Sequence, residues 1–250
     1  MKAKRMLAAV ILLIAMVGCT GGTEEQYIDV NGISLAYVRQ GEGRPLILLH
    51  GGGGSWHSFD HIIDRLSETF TVYAVDSRGQ GKSSAVREYN YQDMADDVVA
   101  LIQKQQLDHP ALYGFSDGGI VGLMIASQHP DLLSELMISG ANADPSGIRE
   151  EDMAAMERSY SVSGDALLKM ELTQPHLTAE DLNRIHIPVL VMAGSDDMIK
   201  ESHTRFIAEN IPGSRLDILQ GETHTSYVLE STKIADLIEG FLEHREISSF

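Results

Sequence analysis

The chain has a single cysteine, Cys19, so it cannot form an internal disulfide. Basic residues are also few: 19 Lys and Arg stand against 36 Asp and Glu, which gives a formal net charge of −17 at pH 7. Because such an acidic surface repels phosphate backbones, the composition argues against a nucleic-acid partner. The sequence shows no internal repeat or low-complexity tract, and its 250 residues suit one sizeable α/β domain.

The N-terminal apolar run, Leu7–Val17, is too short for a comfortable membrane span, which needs about 20 residues. It follows a basic start and ends in Gly-Cys, and this order predicts an export signal over residues 1–19. The stretch M-V-G-C resembles the lipobox of bacterial lipoproteins, in which the cysteine is lipidated. We therefore expect Cys19 to carry a lipid and residues 20–26 to form a flexible tether.

These N-terminal features predict an exported protein of the bacterial cell envelope that is lipid-anchored to a membrane. A plain cleaved signal and an uncleaved anchor are the alternatives.

Beyond the tether, strand-like and helix-like segments alternate. Asn31-Gly32 predicts a hairpin turn between Tyr27–Val30 and Ile33–Val38. Further strands are predicted at Leu46–Leu49, Thr71–Val75, Ala111–Phe115, Leu133–Ile138, Val189–Ala193 and Leu216–Leu219. The predicted helices are Trp56–Leu66, Tyr91–Gln106, Asp117–His129, Glu201–Asn210 and Ser226–Leu242. This alternation indicates the α/β class: a mostly parallel eight-stranded sheet with helices on both faces.

The alternation breaks over residues 141–185, which contain three helix-like pieces and no clear strand. We interpret this stretch as a small helical lid over the carboxyl edge of the sheet, where open α/β sheets bind ligands. Residues 27–140 and 186–250 then form the core of the domain.

The motif G-F-S-D-G-G, residues 114–119, lies where a predicted buried strand meets a predicted helix. A serine between glycines at such a junction is typical of a nucleophile elbow, because Gly114 and Gly118 leave room for the sharp bend. The helix that follows offers free N–H groups and the positive end of its dipole. Ser116 is therefore the predicted nucleophile. The alternative is a Ser-Asp helix cap after a glycine turn.

A serine hydroxyl needs a general base, and the base needs an orienting acid. After a nucleophile elbow, the acid and then the histidine follow the serine along the chain. His224 lies in G-E-T-H-T-S-Y, between the last predicted strand and the final helix, where a loop can reach the serine. The loop G-S-D-D offers Asp196 and Asp197 as the acid, and the fourth position of this G-x-x-D loop selects Asp197.

Two backbone N–H groups must hold the negative charge that develops on the reacting carbonyl oxygen. One is expected from Asp117, the residue after the nucleophile. The other is expected from the loop H-G-G-G-G-S-W, with Gly52 as the donor and Gly53 as the alternative. We also expect Gly53, Trp56 and the Asp117 side chain to contact the substrate.

Four pieces of the sequence together resemble the α/β-hydrolase superfamily from Gln26 to Leu242: H-G-G-G-G, D-S-R-G-Q-G-K-S, G-F-S-D-G-G, and the pair G-S-D-D and G-E-T-H. The second piece reads as a turn after a strand and not as a phosphate-binding loop, because Asp76 stands where that loop requires glycine. More narrowly, L-Y-G-F-S-D-G-G-I-V-G-L followed by I-S-G-A-N-A resembles the biphenyl hydrolase-like (valacyclovirase) esterases, which hydrolyse amino-acid esters. The lid here is shorter than in that group.

The resemblance implies hydrolysis of a small-molecule ester through an acyl-enzyme on Ser116, with no metal or organic cofactor. The same catalytic groups would serve a lactone or carbon–carbon bond hydrolase, and a slow-turnover ligand-sensing protein could keep them too. A carboxylate at Asp117, beside the nucleophile, would favour a cationic substrate such as an α-amino ester. Alternatively, it would only cap the following helix.

Overall fold

A computed structural model describes residues 24–229 and 231–243. The export signal, Cys19 and residues 20–23 of the predicted tether lie outside the described residues. Within the described ranges, no helix is both long and apolar enough to cross a lipid bilayer.

One sheet of eight strands forms the centre of the fold. In chain order the strands are β1 Glu25–Val30, β2 Ile33–Gln40, β3 Arg44–Leu49, β4 Phe70–Val75, β5 Ala111–Phe115, β6 Leu136–Ser139, β7 Val189–Asp196 and β8 Arg215–Thr223. Across the sheet their order is β1-β2-β4-β3-β5-β6-β7-β8. The β1–β2 and β2–β4 pairs are antiparallel and the others are parallel, which confirms the predicted α/β sheet.

The β1–β2 hairpin follows from its turn residues. Asn31 and Gly32 have φ values of 43° and 82°. Positive φ at both central positions is what a type I′ turn requires, and this turn matches the twist of the flanking strands.

Helices cover both faces of the sheet. They are α1 Asp60–Leu66, α2 Tyr91–Lys104, α3 Asp117–Gln128, α4 Glu150–Ser163, α5 Ala166–Thr173, α6 Ala179–Asn183, α7 Glu201–Asn210 and α8 Lys233–Leu242. Successive side chains of β3 point to opposite faces: Ile47 belongs to the hydrophobic cluster that includes residues of α2, α3 and α7, whereas Leu48 belongs to the cluster that includes residues of α1 and α8. Both faces are therefore dry, and the carboxyl edge of the parallel strands is left as the place for a site.

The helices α4, α5 and α6 all lie between β6 and β7, in the stretch interpreted as a lid. Met170 of α5 and Leu182 of α6 are buried against the core, whereas α4 buries no residue. These three helices, which we call the lid below, are thus attached to the domain through α5 and α6.

The structure differs from the sequence prediction near the C-terminus, where the final helix begins at Lys233 and not at Ser226. The intervening residues form a tight turn, because the amides of Val228 and Leu229 both donate to the Thr225 carbonyl. The Ser226 hydroxyl donates to the Glu222 carboxylate instead of joining a helix. This turn follows β8 directly and carries the residue predicted as the general base.

Candidate active site

The junction of β5 and α3 has a strained backbone at Ser116, whose φ is 53° and ψ is −117°. For a residue with a side chain, such a conformation costs of the order of 1–3 kcal/mol and persists only when its surroundings impose it. A Cβ added at Gly114 would collide with the Gly118 carbonyl, and one at Gly118 would collide with the carbonyl of Leu49 in β3. The close approach of α3 to the sheet thus requires both glycines.

Ser116, His224 and Asp197 lie in one line of hydrogen bonds. His224 Nε2 is 3.1 Å from Ser116 Oγ, and His224 Nδ1 is 2.7 Å from Asp197 Oδ1. The Asp197 side chain is fully buried and also accepts from the amide of Ile199 at 2.9 Å. A buried carboxylate at Nδ1 keeps the proton on that nitrogen, which leaves Nε2 free to accept from the serine hydroxyl.

Asp196, the alternative acid, lies apart from this line. It is exposed and pairs with Thr223 at the end of the β7–β8 ladder. Gly194, just before it, allows the two strands to come close, because a Cβ there would collide with the Glu222 backbone. β7 therefore extends three residues beyond its predicted end at Ala193. The side chain of Asp196 then faces solvent, and that of Asp197 faces the interior.

The two predicted oxyanion donors are available at the mouth of the elbow. In the part of the chain that the structure describes, neither the Gly52 N–H nor the Asp117 N–H has a hydrogen-bond acceptor. The Gly53 N–H already donates to Gln80 Oε1 at 2.7 Å. This engagement favours Gly52 over Gly53 as the second donor.

The turn after β4 holds the glycine loop in place. Asp76 is buried, and its carboxylate accepts from the amides of Trp56 and Lys82, both at 2.7 Å. Gln80 of the same turn accepts from the Gly53 N–H. This turn was not predicted to take part in the site, yet its hydrogen bonds hold the loop that carries Gly52 in place.

The chain resembles known hydrolases along most of its length. The α/β hydrolase fold family matches residues 44–164. Serine hydrolase BPHL of Mus musculus is 28% identical to it in an alignment that covers 86% of this chain and 85% of that protein. The pimeloyl-[acyl-carrier protein] methyl ester esterase of Neisseria meningitidis is 26% identical over 80% of this chain and 93% of its own. The crystal structure of the esterase RhEst1 from Rhodococcus sp. ECU1013 has a TM-score of 0.69 and 25% identity, over 90% of this chain and 99% of its own. The chain has the α/β-hydrolase fold.

Ser116 opens on a cavity of about 330 Å³ between the carboxyl edge of the sheet and the helices α4 and α5. Its wall includes Gly51, Gly52, Tyr91, Phe115, Asp117, Asn142, Ile148, Met156, Glu171, Met198, Ile199, His224 and Leu229. Gly53 and Trp56 are not among the lining residues, in contrast to the expected substrate contacts. Trp56 is packed in the core beside α1, and the Gly53 amide is tied to Gln80.

Asp117 is the most unusual polar group of this cavity. Oδ1 accepts from the Tyr91 hydroxyl at 2.7 Å, whereas Oδ2 is buried and has no hydrogen-bond partner among the described residues. Burial raises the pKa of Asp117 to about 6, against the opposing effects of Tyr91 and His224. Neither oxygen accepts from an amide of α3, so the carboxylate does not cap its own helix.

Substitution of Asp197 by asparagine tests the line of hydrogen bonds. An amide at this position favours the wrong tautomer of His224, so we expect kcat on p-nitrophenyl acetate to fall by roughly 10⁴-fold in Asp197→Asn. Asp196→Asn removes the same charge one residue away, and its kcat should stay within about two-fold of the wild-type value, because its side chain faces water. Equal losses in the two variants would contradict this assignment.

Proposed function

We propose that the protein is a serine hydrolase that cleaves carboxylic esters of small molecules through an acyl-enzyme on Ser116. The observation that carries this proposal is the unbroken line from Ser116 Oγ through His224 to the buried Asp197 carboxylate, beside a cavity. The methyl ester esterase among its relatives supports an ester as the substrate.

In the first half of the reaction, Ser116 Oγ attacks the ester carbonyl carbon while His224 Nε2 takes the hydroxyl proton. The carbonyl oxygen becomes an oxyanion and accepts from the amides of Gly52 and Asp117, each contributing about 3 kcal/mol of transition-state stabilisation. The ester bond then breaks, His224 gives its proton to the leaving alcohol, and the acyl group stays on Ser116.

In the second half, water takes the place of the alcohol. His224 Nε2 removes a proton from the water as the water oxygen attacks the acyl carbon. The same two amides hold the second oxyanion, and its collapse releases the acid and returns the proton to Ser116. Asp197 stabilises the histidine in its protonated form at both stages.

The acyl part of the substrate is proposed to carry a positive charge, as in an α-amino ester. The free Oδ2 of Asp117 supports this proposal, since it lies in the cavity wall beside the nucleophile and needs a hydrogen-bond donor. The Asp117 carboxylate accepts no hydrogen bond from an amide of α3, which argues against the alternative that Asp117 only caps this helix.

Alanine methyl ester and methyl isobutyrate form a matched pair for this proposal, because an ammonium group in one replaces a methyl group in the other. We expect Asp117→Asn to lower the ratio of their kcat/KM values, charged over neutral, by about ten-fold or more, because it removes a charge-assisted hydrogen bond. The Asp117 amide that serves the oxyanion is retained in the variant. An unchanged ratio would contradict the cationic preference, and a wild-type protein that hydrolyses neither ester would contradict both steps of the proposal.

We also infer that the protein is exported and lipid-anchored through Cys19, on the basis of the basic start, the short apolar run and the Gly-Cys that ends it. In a bacterial host fed an alkyne-tagged fatty acid, the full chain should incorporate the tag and sediment with membranes. Cys19→Ser should lose both properties. A wild-type chain that is processed but carries no tag would contradict lipidation.

A further inference from the structure

A second carboxyl group, carried by the lid, lies in the wall of the same cavity as the proposed nucleophile. Glu171 lies on α5 and lines the same cavity as Ser116. A Cβ added at Gly52 would collide with Glu171 Oε1 and would lie 2.9 Å from Asp117 Oδ2. The carboxyls of Glu171 and Asp117 therefore converge on one side of the Gly52 backbone. This convergence was not predicted from the sequence of the lid.

Neither of these two carboxyls takes part in an ion pair among residues 24–229 and 231–243. The titratable groups that face the pair are the Tyr91 hydroxyl from α2, Asp165 at the start of α5, and His224 from the turn after β8. Tyr91 supplies one hydrogen bond, and Asp165 adds a further negative charge.

Two carboxylates with little water around them cannot both be ionised at low cost, so the pair retains a proton to higher pH than an exposed carboxyl would. Burial and the charge of Asp117 raise the pKa of Glu171 to about 8, and burial raises that of Asp117 to about 6. Between these values the empty pair holds one proton and one negative charge.

We propose that Glu171 is a specificity-determining residue, and that a primary ammonium group on the acyl part of the substrate binds between Glu171 and Asp117 and displaces the proton held by this pair. This inference rests on the proposed function and names a second residue that selects its substrate. The carboxyl O–H bond breaks and its proton passes to solvent, while the ammonium group keeps its three protons. Those three N–H groups can donate to Asp117 Oδ2 and to both oxygens of Glu171.

The exchange makes the choice of substrate depend on pH. Below about pH 6 both carboxyls are protonated, so the site binds an ammonium group weakly. Because each bound cation then releases one proton, the preference for a cationic over a neutral acyl group rises about ten-fold per pH unit between the two pKa values. A neutral ester of the same shape gains nothing from this change.

The experiment compares kcat/KM for alanine methyl ester, expressed per concentration of its cationic form, with that for methyl isobutyrate. Their ratio cancels the pH response of Ser116 and His224, which both esters share. Between about pH 6 and 7 the wild-type ratio should rise about ten-fold, and the Glu171→Gln ratio should change by about two-fold or less. Glu157→Gln makes the same charge change on an exposed position of α4 and should follow the wild type.

A wild-type ratio that stays flat over this range overturns the inference, whether or not Glu171→Gln folds. A Glu171→Gln ratio that rises as steeply as the wild-type ratio overturns it as well. In both cases hydrolysis of methyl isobutyrate leaves the proposed function intact, so the two failures are distinguishable.

A binding measurement on Ser116→Ala gives the number of protons released when the ligand binds. Titration calorimetry with alanine methyl ester, in two buffers of different ionisation enthalpy, should show release of about one proton per bound ligand near pH 6.5. The same measurement on Ser116→Ala with Glu171→Gln should show about a quarter of a proton, because only Asp117 then releases protons near this pH. Equal proton release in the two proteins overturns the inference independently of turnover.

Discussion

The backbone of Ser116 is the constraint on which the rest of the site depends. Its φ of 53° is unfavourable for a residue with a side chain. The conformation persists because the packing of β5 and α3 against their neighbours imposes it. The bend requires glycine at positions 114 and 118, since α3 passes against the carbonyl of Leu49 in β3. One local strain thus aims the serine hydroxyl at His224 and places the Asp117 amide beside it.

The site uses two buried carboxyls in two different ways. Asp197 accepts from His224 and from a backbone amide, so its charge is compensated and it can orient the base. Asp117 has one oxygen satisfied by Tyr91 and one without a partner. The contrast between a satisfied and an unsatisfied carboxyl separates an internal structural role from one that needs a ligand.

The sequence predicted most of the fold because its signals were local. The positive-φ turn at Asn31-Gly32, the buried run of β5 and the elbow motif each lie within a few residues of the structure they determine. The position of Glu171 in the site was not predictable in this way, because its carboxyl lies near that of Asp117 only through the packing of α5 on the core. The positions of Gly53 and Trp56 away from the cavity wall were not predictable for a similar reason: their amides donate to Gln80 and Asp76, which are distant in sequence.

The most direct measurement is the intact mass of the protein after treatment with a fluorophosphonate, which reacts with activated serines. We expect one adduct on the wild-type chain and none on Ser116→Ala, because Ser116 has a histidine base and a nearby pair of free amides. The folded state of both proteins can be checked by circular dichroism. An adduct that persists in Ser116→Ala, or no adduct on the folded wild type, would contradict the assignment of Ser116 as an activated nucleophile.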